Sequence, residues 1–100
     1  MPRASRAAEN ERVLRDVNDR IRELEERLGG AGGDYRASFV CECYRPDCHK
    51  LLSLTLAEYG AVRAIPTQFL VLPGHVDPAL ERVVRQTDRY GIVEKLDAPP

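Results

Sequence analysis

Three cysteines within eight residues constrain this chain more than any other feature of its sequence. Cys41 and Cys43 end an apolar stretch, and side chains two positions apart in an extended chain point to the same face. Pro46 and Asp47 favour a turn that doubles the chain back and brings Cys48 to the same place. The pattern therefore predicts three thiolates around one point.

A closed tetrahedral site needs a fourth ligand, and the chain has two histidines. His75 follows a strand-like stretch and the turn Pro73-Gly74, which would present the imidazole at the end of a sheet. His49 is the alternative fourth ligand, although chelation by the adjacent residues Cys48 and His49 would need an awkward backbone. Thiolate and imidazole ligands favour zinc. The predicted Zn²⁺ ligands are Cys41, Cys43, Cys48 and His75.

Buried free cysteines and disulfides explain the cluster less well. A free cysteine often behaves as a small apolar residue, but three around one turn are hard to place as independent core residues. The number of cysteines is odd, and a disulfide between strand positions i and i+2 would be strained. Residues 1–28 hold no apolar run long enough for a signal peptide or a membrane span, so we expect a cytoplasmic protein with reduced thiols.

An amphipathic helix is predicted over residues 9–28, after a disordered start at residues 1–8. Apolar side chains recur in it at alternating steps of three and four, as in a heptad seam. The predicted seam residues are Leu14, Val17, Ile21, Leu24 and Leu28. Acids placed four positions before arginines on the flanks favour a helix that is exposed to water. Such a seam can pack on its own domain, on the same helix of a second copy, or on a different protein.

The remainder of the chain is predicted to be a small zinc-binding α+β domain at residues 35–97, after a Gly-rich linker at 29–34 and before a tail at 98–100. Strands are expected at residues 35–43, 50–54, 69–72, 80–86 and 90–96, the last two as a hairpin. Thr55, with Glu58 three residues later, forms a capping-box signature for a short helix. The predicted fold class is α+β.

The pattern indicates a structural zinc site rather than a catalytic one. A domain of about 60 residues builds only a small core, and a bound metal is a common supplement. Four ligands leave no open position for water, and Glu42 points away from the cysteines, where it is badly placed as a base. Arg45 or backbone N–H groups of the turn are expected to offset the negative charge of the thiolates. We therefore predict that the protein is not an enzyme.

The net charge of −1 gives no general attraction to nucleic acids or anionic membranes. The favoured function is a zinc-stabilised interaction module, a regulator or adaptor that dimerises or binds a partner protein through the seam. One alternative is a nucleic-acid-binding protein, although acids are interleaved with its arginines. Its candidate phosphate contacts are Arg36, Arg45, Arg82, Arg85 and Arg89. Another alternative is a redox switch in which oxidation of the cysteines ejects zinc.

Several short motifs resemble a group of small uncharacterised bacterial proteins, chiefly from high-GC genomes. The motifs are Phe39-Val40-Cys41-Glu42-Cys43, Cys48, Leu54-Thr55-Leu56-Ala57-Glu58-Tyr59, Val62-Arg63, Pro73-Gly74-His75, Glu94-Lys95 and Arg15-Asp16-Val17-Asn18-Asp19-Arg20-Ile21. The resemblance covers most of the chain. It implies a bacterial cytoplasmic protein in which three cysteines and one histidine form a metal set, and it implies no particular activity.

Overall fold

The computed structural model describes residues 3–29, 34–43, 45 and 47–96, and it shows the predicted α+β fold. A long helix precedes two small antiparallel sheets and one short helix. The elements are α1 (Arg3–Arg27), β1 (Arg36–Val40), β2 (Leu51–Thr55), α2 (Leu56–Arg63), β3 (Gln68–Val71), β4 (Glu81–Gln86) and β5 (Gly91–Lys95).

Helix α1 begins at Arg3, inside the segment that was predicted to be disordered. It ends where Gly29 adopts a φ of +85°, a left-handed conformation that glycine takes without a steric penalty. The central part of the predicted linker, residues 30–33, and the predicted tail lie outside the described residues. Among the helices that the structure describes, none has the length and apolar character needed to span a membrane.

Strands β1 and β2 form an antiparallel hairpin in which Phe39 pairs with Leu52 and Ala37 pairs with Leu54. Both strands alternate buried and exposed positions, so each presents one apolar face to the core. The first strand was predicted to continue to residue 43, but β1 ends at Val40. The three residues after it leave the regular ladder and carry two of the predicted ligands.

Helix α2 begins at the predicted capping box. The Thr55 hydroxyl accepts a hydrogen bond from the backbone N–H of Glu58, and the Glu58 carboxylate accepts one from the backbone N–H of Thr55. These two bonds satisfy donors that a helix start leaves unpaired. The helix then buries Leu56, Tyr59 and Val62 against the sheets.

The second sheet has the strand order β3-β5-β4, with every neighbour antiparallel. The predicted hairpin of β4 and β5 is present, with a register shift between Val83 and Arg85. Strand β5 is central and packs Val93 and Ile92 into the core, whereas β4 is exposed at every position after Glu81. The two sheets meet where the backbone N–H of Glu42 donates to the carbonyl of Leu70 (2.7 Å).

The apolar core lies between the two sheets and α2. Phe39 and Tyr59 stack within it, with ring centroids 4.5 Å apart and an interplanar angle of 13°. The fully enclosed members come from the strands, from α2 and from the segment after β1, and α1 contributes only the half-buried Ile21 at the margin. Helix α1 therefore lies on a core that forms largely without it.

The predicted seam of α1 divides between two environments. Leu14 and Ile21 are half-buried against the domain, whereas Val17, Leu24 and Leu28 are exposed. The helix turns a largely polar face towards the domain, and Glu11 and Asn18 are the side chains that become fully buried. Helix α1 therefore contacts its own domain, which is one of the three arrangements that the seam allowed. Polar side chains make most of this contact.

Candidate metal centre

Two connections of the fold, between β1 and β2 and between β3 and β4, bring the predicted ligands together. Cys41 and Cys43 follow β1, Cys48 lies in the turn before β2, and His75 follows β3. Their four ligand atoms all lie within 4.8 Å of one another. Cys41 and Cys43 are buried, while Cys48 and His75 are half-buried on the outer side of the group. This Cys3His group could hold a metal ion.

The spacing of the ligand atoms fits a tetrahedral zinc ion. With Zn–S and Zn–N bonds of about 2.3 Å and 2.0–2.1 Å, the sulfur-to-nitrogen edge of a tetrahedron is about 3.6 Å. Nδ1 of His75 lies 3.7 Å from Sγ of Cys41 and 3.6 Å from Sγ of Cys48. The imidazole therefore faces the thiols through Nδ1 at the distance that shared coordination requires.

A tight turn delivers His75 to the group. The backbone N–H of His75 donates to the carbonyl of Leu72 (3.0 Å), and Gly74 has a φ of +85° at the third position of the turn. Proline at the second position and glycine at the third are typical of a type II turn, as the sequence predicted. His49, the alternative ligand, is exposed and is not part of the group.

Hydrogen bonds within the group favour the thiolate form of Cys43. The bond from the Cys41 thiol is the main cause that lowers the pKa of Cys43 to about 5, and the same bond raises the pKa of Cys41. The backbone N–H of Leu72 also donates to Sγ of Cys41 (3.2 Å), and a backbone bond from Arg45 stabilises the Cys43 thiolate. Backbone donors thus offset the thiolate charge, in line with the expectation for this turn.

Glu42 lies on the opposite side of the chain from its two cysteine neighbours, as predicted, but it is fully buried. Its carboxylate accepts hydrogen bonds from Nδ2 of Asn18 (2.7 Å), the hydroxyl of Tyr59 (2.6 Å) and the backbone N–H of Leu70 (2.9 Å). Burial raises the pKa of Glu42, and the three donors act against that rise. Glu42 therefore anchors the ligand segment to α1, α2 and β3.

Two asparagines of α1 hold the same segment at both ends. Asn18 forms a pair of 2.8 Å hydrogen bonds with the backbone of Val40, accepting from its N–H and donating to its carbonyl. Asn10, two helical turns earlier, donates to the carbonyls of Cys43 (3.0 Å) and Arg45 (3.3 Å). Neither asparagine was predicted to bond to the metal-binding segment. Their spacing on one helix face was the available signal, since a two-turn separation places side chains on the same side.

Comparison of the chain with protein-family models, with curated proteins and with solved structures found no match. The resemblance described from the sequence motifs therefore stays a prediction. The geometry of the metal centre is therefore the main observation that bears on function.

Proposed function

We propose that the chain is a zinc-stabilised protein-interaction module, a small regulator or adaptor that binds through α1. The observation that carries the zinc assignment is the tetrahedral spacing of the three thiols and the imidazole. Bound to all four ligands, Zn²⁺ would join the two ends of the connection between β1 and β2 to the connection after β3. Structural zinc contributes on the order of 10 kcal/mol to the folding of small domains.

A structural role for the metal agrees with the surroundings of the ligands. Four protein ligands complete the tetrahedral shell, so no position is left for a reacting water. The nearby carboxylate of Glu42 is bonded to three donors inside the protein and faces away from the thiols. We therefore expect no hydrolytic activity from this centre.

The interaction surface is an apolar stripe on the outer side of α1. Its four residues follow one side of the helix and are 39 to 72% exposed. We define the outer stripe as Val13, Val17, Leu24 and Leu28. Four large apolar side chains in one helical row are typical of a surface that a second helix covers, from another copy of the chain or from a different protein.

Nucleic-acid binding is less well supported by the arginines that were its candidates. Arg82 pairs with Glu94 (2.7 Å) and Arg89 pairs with Glu58 (2.6 Å), so the charge of each is matched within the domain. Nucleic-acid binding gains from arginines that neutralise phosphates and so release the cations condensed on the nucleic acid, but Arg82 and Arg89 already neutralise carboxylates. Protein interaction is therefore the better supported function.

Metal content per chain, measured by elemental analysis of purified protein, tests the zinc assignment. We expect one zinc ion per chain in the wild type and in His49→Ala, and a loss of zinc in His75→Ala. Folded wild-type protein with free thiols and no metal would overturn the assignment.

Sedimentation of the zinc-loaded protein with candidate partner proteins tests the stripe. We expect the double variant Val17→Ser/Leu24→Ser to lose association and Arg12→Ala, an exposed change on a different side of the same helix, to retain it. Equal association by both variants would place the interaction surface elsewhere.

A further inference from the structure

Helix α1 is held to the domain by contacts that differ in kind from those of the core. The core packs apolar side chains from the strands and α2. Helix α1 instead docks through hydrogen bonds from Asn10 and Asn18, together with an ion pair of Asp19 with Arg63 and a contact of Glu11 with Lys95. Polar contacts contribute only when both partners keep their positions, because their energy depends steeply on distance and angle. Docking of α1 is therefore sensitive to displacement of its partners.

The partners of the two asparagines belong to the metal-binding segment. Every hydrogen bond described for Asn10 goes to a carbonyl at or beyond Cys43, and Asn18 bonds to Val40 and to the carboxylate of Glu42. All of these partner groups lie within two residues of the ligands Cys41 and Cys43. Beyond Val40 the segment leaves the ladder of β1. Backbone bonds from Cys41 to Lys50 and from Glu42 to Leu70 hold its first two residues, whereas the acceptors of Asn10 lie beyond these bonds.

The position of that segment depends in turn on coordination. The ligands come from two connections, between β1 and β2 and between β3 and β4, and a bound ion would touch both of them at once. When the thiols are not coordinated, they keep the hydrogen bonds among themselves and to two backbone N–H groups. Together with the bonds of Glu42, those links hold the start of the segment. They leave the part from Cys43 onward freer to move, and the helix then loses the fixed acceptors of Asn10.

We propose that metal occupancy of the Cys3His group controls the docking of α1. With the metal bound, the segment is fixed and the helix is held against the domain. With the metal removed, the helix leaves while the core of strands and α2 persists. The inference rests on the proposed function, because it assigns a regulation to the same metal centre.

Release would change what the helix offers to a partner. In the docked state Leu14 and Ile21 are half-buried against the domain, and the outer stripe alone is accessible. On the free helix, both residues would join Val17, Leu24 and Leu28 in one heptad seam. A second copy of the same helix then fits as the partner, since a seam of this length becomes stable when it pairs. Metal loss would thus convert a monomer with a docked helix into a dimer joined by its free helices.

Hydrogen exchange read by mass spectrometry on the full chain tests the proposal, with zinc-loaded protein compared with protein treated with a chelator. We expect exchange in α1 to accelerate by roughly tenfold or more after chelation, with a change of less than about twofold in β3 and β5. Sedimentation of the same samples should show the dimer in the chelated sample alone. Elemental analysis of the loaded sample distinguishes this proposal from the proposed function. A chain that binds no zinc contradicts the proposed function itself.

Variants separate helix release from general unfolding. Asn10→Ala/Asn18→Ala should release α1 with zinc still bound, and Arg20→Ala should behave as the wild type. Loss of protection in α1, β3 and β5 together after chelation would overturn the proposal, because the metal would then support the whole domain. Unchanged protection of α1 after confirmed zinc loss would also overturn it.

Discussion

Asn18 and Glu42 form a hydrogen bond of 2.7 Å inside the protein, although one lies on an N-terminal helix and the other between two cysteines. Both side chains are fully buried. The amide of Asn18 completes a set of three donors around the carboxylate, with the hydroxyl of Tyr59 and the backbone N–H of Leu70. A buried carboxylate with this many donors is stable because hydrogen bonds replace the water that it has lost.

Replacement of this carboxylate by a neutral amide should destabilise the domain. In Glu42→Gln, one acceptor oxygen becomes an NH2 group that must face either a backbone N–H or the donors of Asn18 and Tyr59. We expect a loss of about 1–3 kcal/mol in the free energy of unfolding in urea, since a buried donor is left without an acceptor. Glu26→Gln removes a carboxylate at the exposed surface and should change this free energy by less than about 0.5 kcal/mol. Equal effects of the two changes would contradict the role of Glu42.

The capping box of α2 should have a measurable effect of its own. Thr55→Ala removes the hydroxyl that accepts from the backbone N–H of Glu58 (3.1 Å). We expect a loss of about 1 kcal/mol in thermal or urea unfolding, the usual effect of deleting such a cap. Ser53→Ala, an exposed change in the preceding strand, is the matched control and should be nearly neutral. A neutral result for Thr55→Ala would show that the helix start does not depend on its cap.

Two glycine-to-alanine changes should have opposite signs. Gly74 has a φ of +85°, so a Cβ there is strained, and Gly74→Ala should cost about 1 kcal/mol and weaken metal binding by displacing His75. Gly60 lies inside α2, and a Cβ there would meet the guanidinium of Arg22 at 3.6 Å, an ordinary contact. Gly60→Ala should therefore stabilise the protein by roughly 0.5–1 kcal/mol. Unfolding curves and zinc titrations of both variants provide the comparison, and a stabilising Gly74→Ala would exclude the turn that places His75.

The buried end of α1 predicts a dependence of stability on pH. Burial is the largest cause that raises the pKa of Glu11, to about 9, and the carboxyl of Glu81 raises it further while Lys95 lowers it. Between the unfolded value of 4.5 and the folded value, the native state keeps a proton that the unfolded chain has lost. Stability from this group is therefore lost as pH rises through that window.

Glu11→Gln, which cannot titrate, should remove this contribution. We expect the variant to gain roughly 1–2 kcal/mol relative to the wild type between about pH 6 and about pH 8, measured by urea unfolding at matched zinc occupancy. Glu9→Gln, an exposed change on the same helix, should follow the wild type. A difference between Glu11→Gln and the wild type that is constant over this range would contradict a shifted pKa.

Much of this fold was predictable from local patterns. The alternation around Phe39, the capping box at Thr55 and the turn before His75 each involve residues close together in sequence, where spacing determines geometry. The ligand set followed from the clustering of its cysteines and from the chemistry of zinc. These patterns predicted the α+β fold and the residues that the structure brings together at the candidate centre.

The docking of α1 was not predictable in the same way. The seam was identified by counting apolar residues alone, and that count cannot reveal that Asn18 would be buried and Leu24 exposed. The partner of Asn18 is the carboxylate of Glu42. The alternation of the sequence places this carboxylate on the outer face of the β1–β2 hairpin, and α1 covers that face. Pairs of this kind depend on contacts between distant segments, for which a single sequence carries no local signal.

The position of Lys95 determines when α1 can finish docking during synthesis of the chain. The ammonium group of Lys95 contacts Glu11, so α1 must wait until β5, the last described strand, has been made before its buried acid finds a partner. The acids and arginines along its flanks suit that interval, because they keep an undocked helix soluble in water. Translation therefore exposes every nascent chain to a period with the helix free.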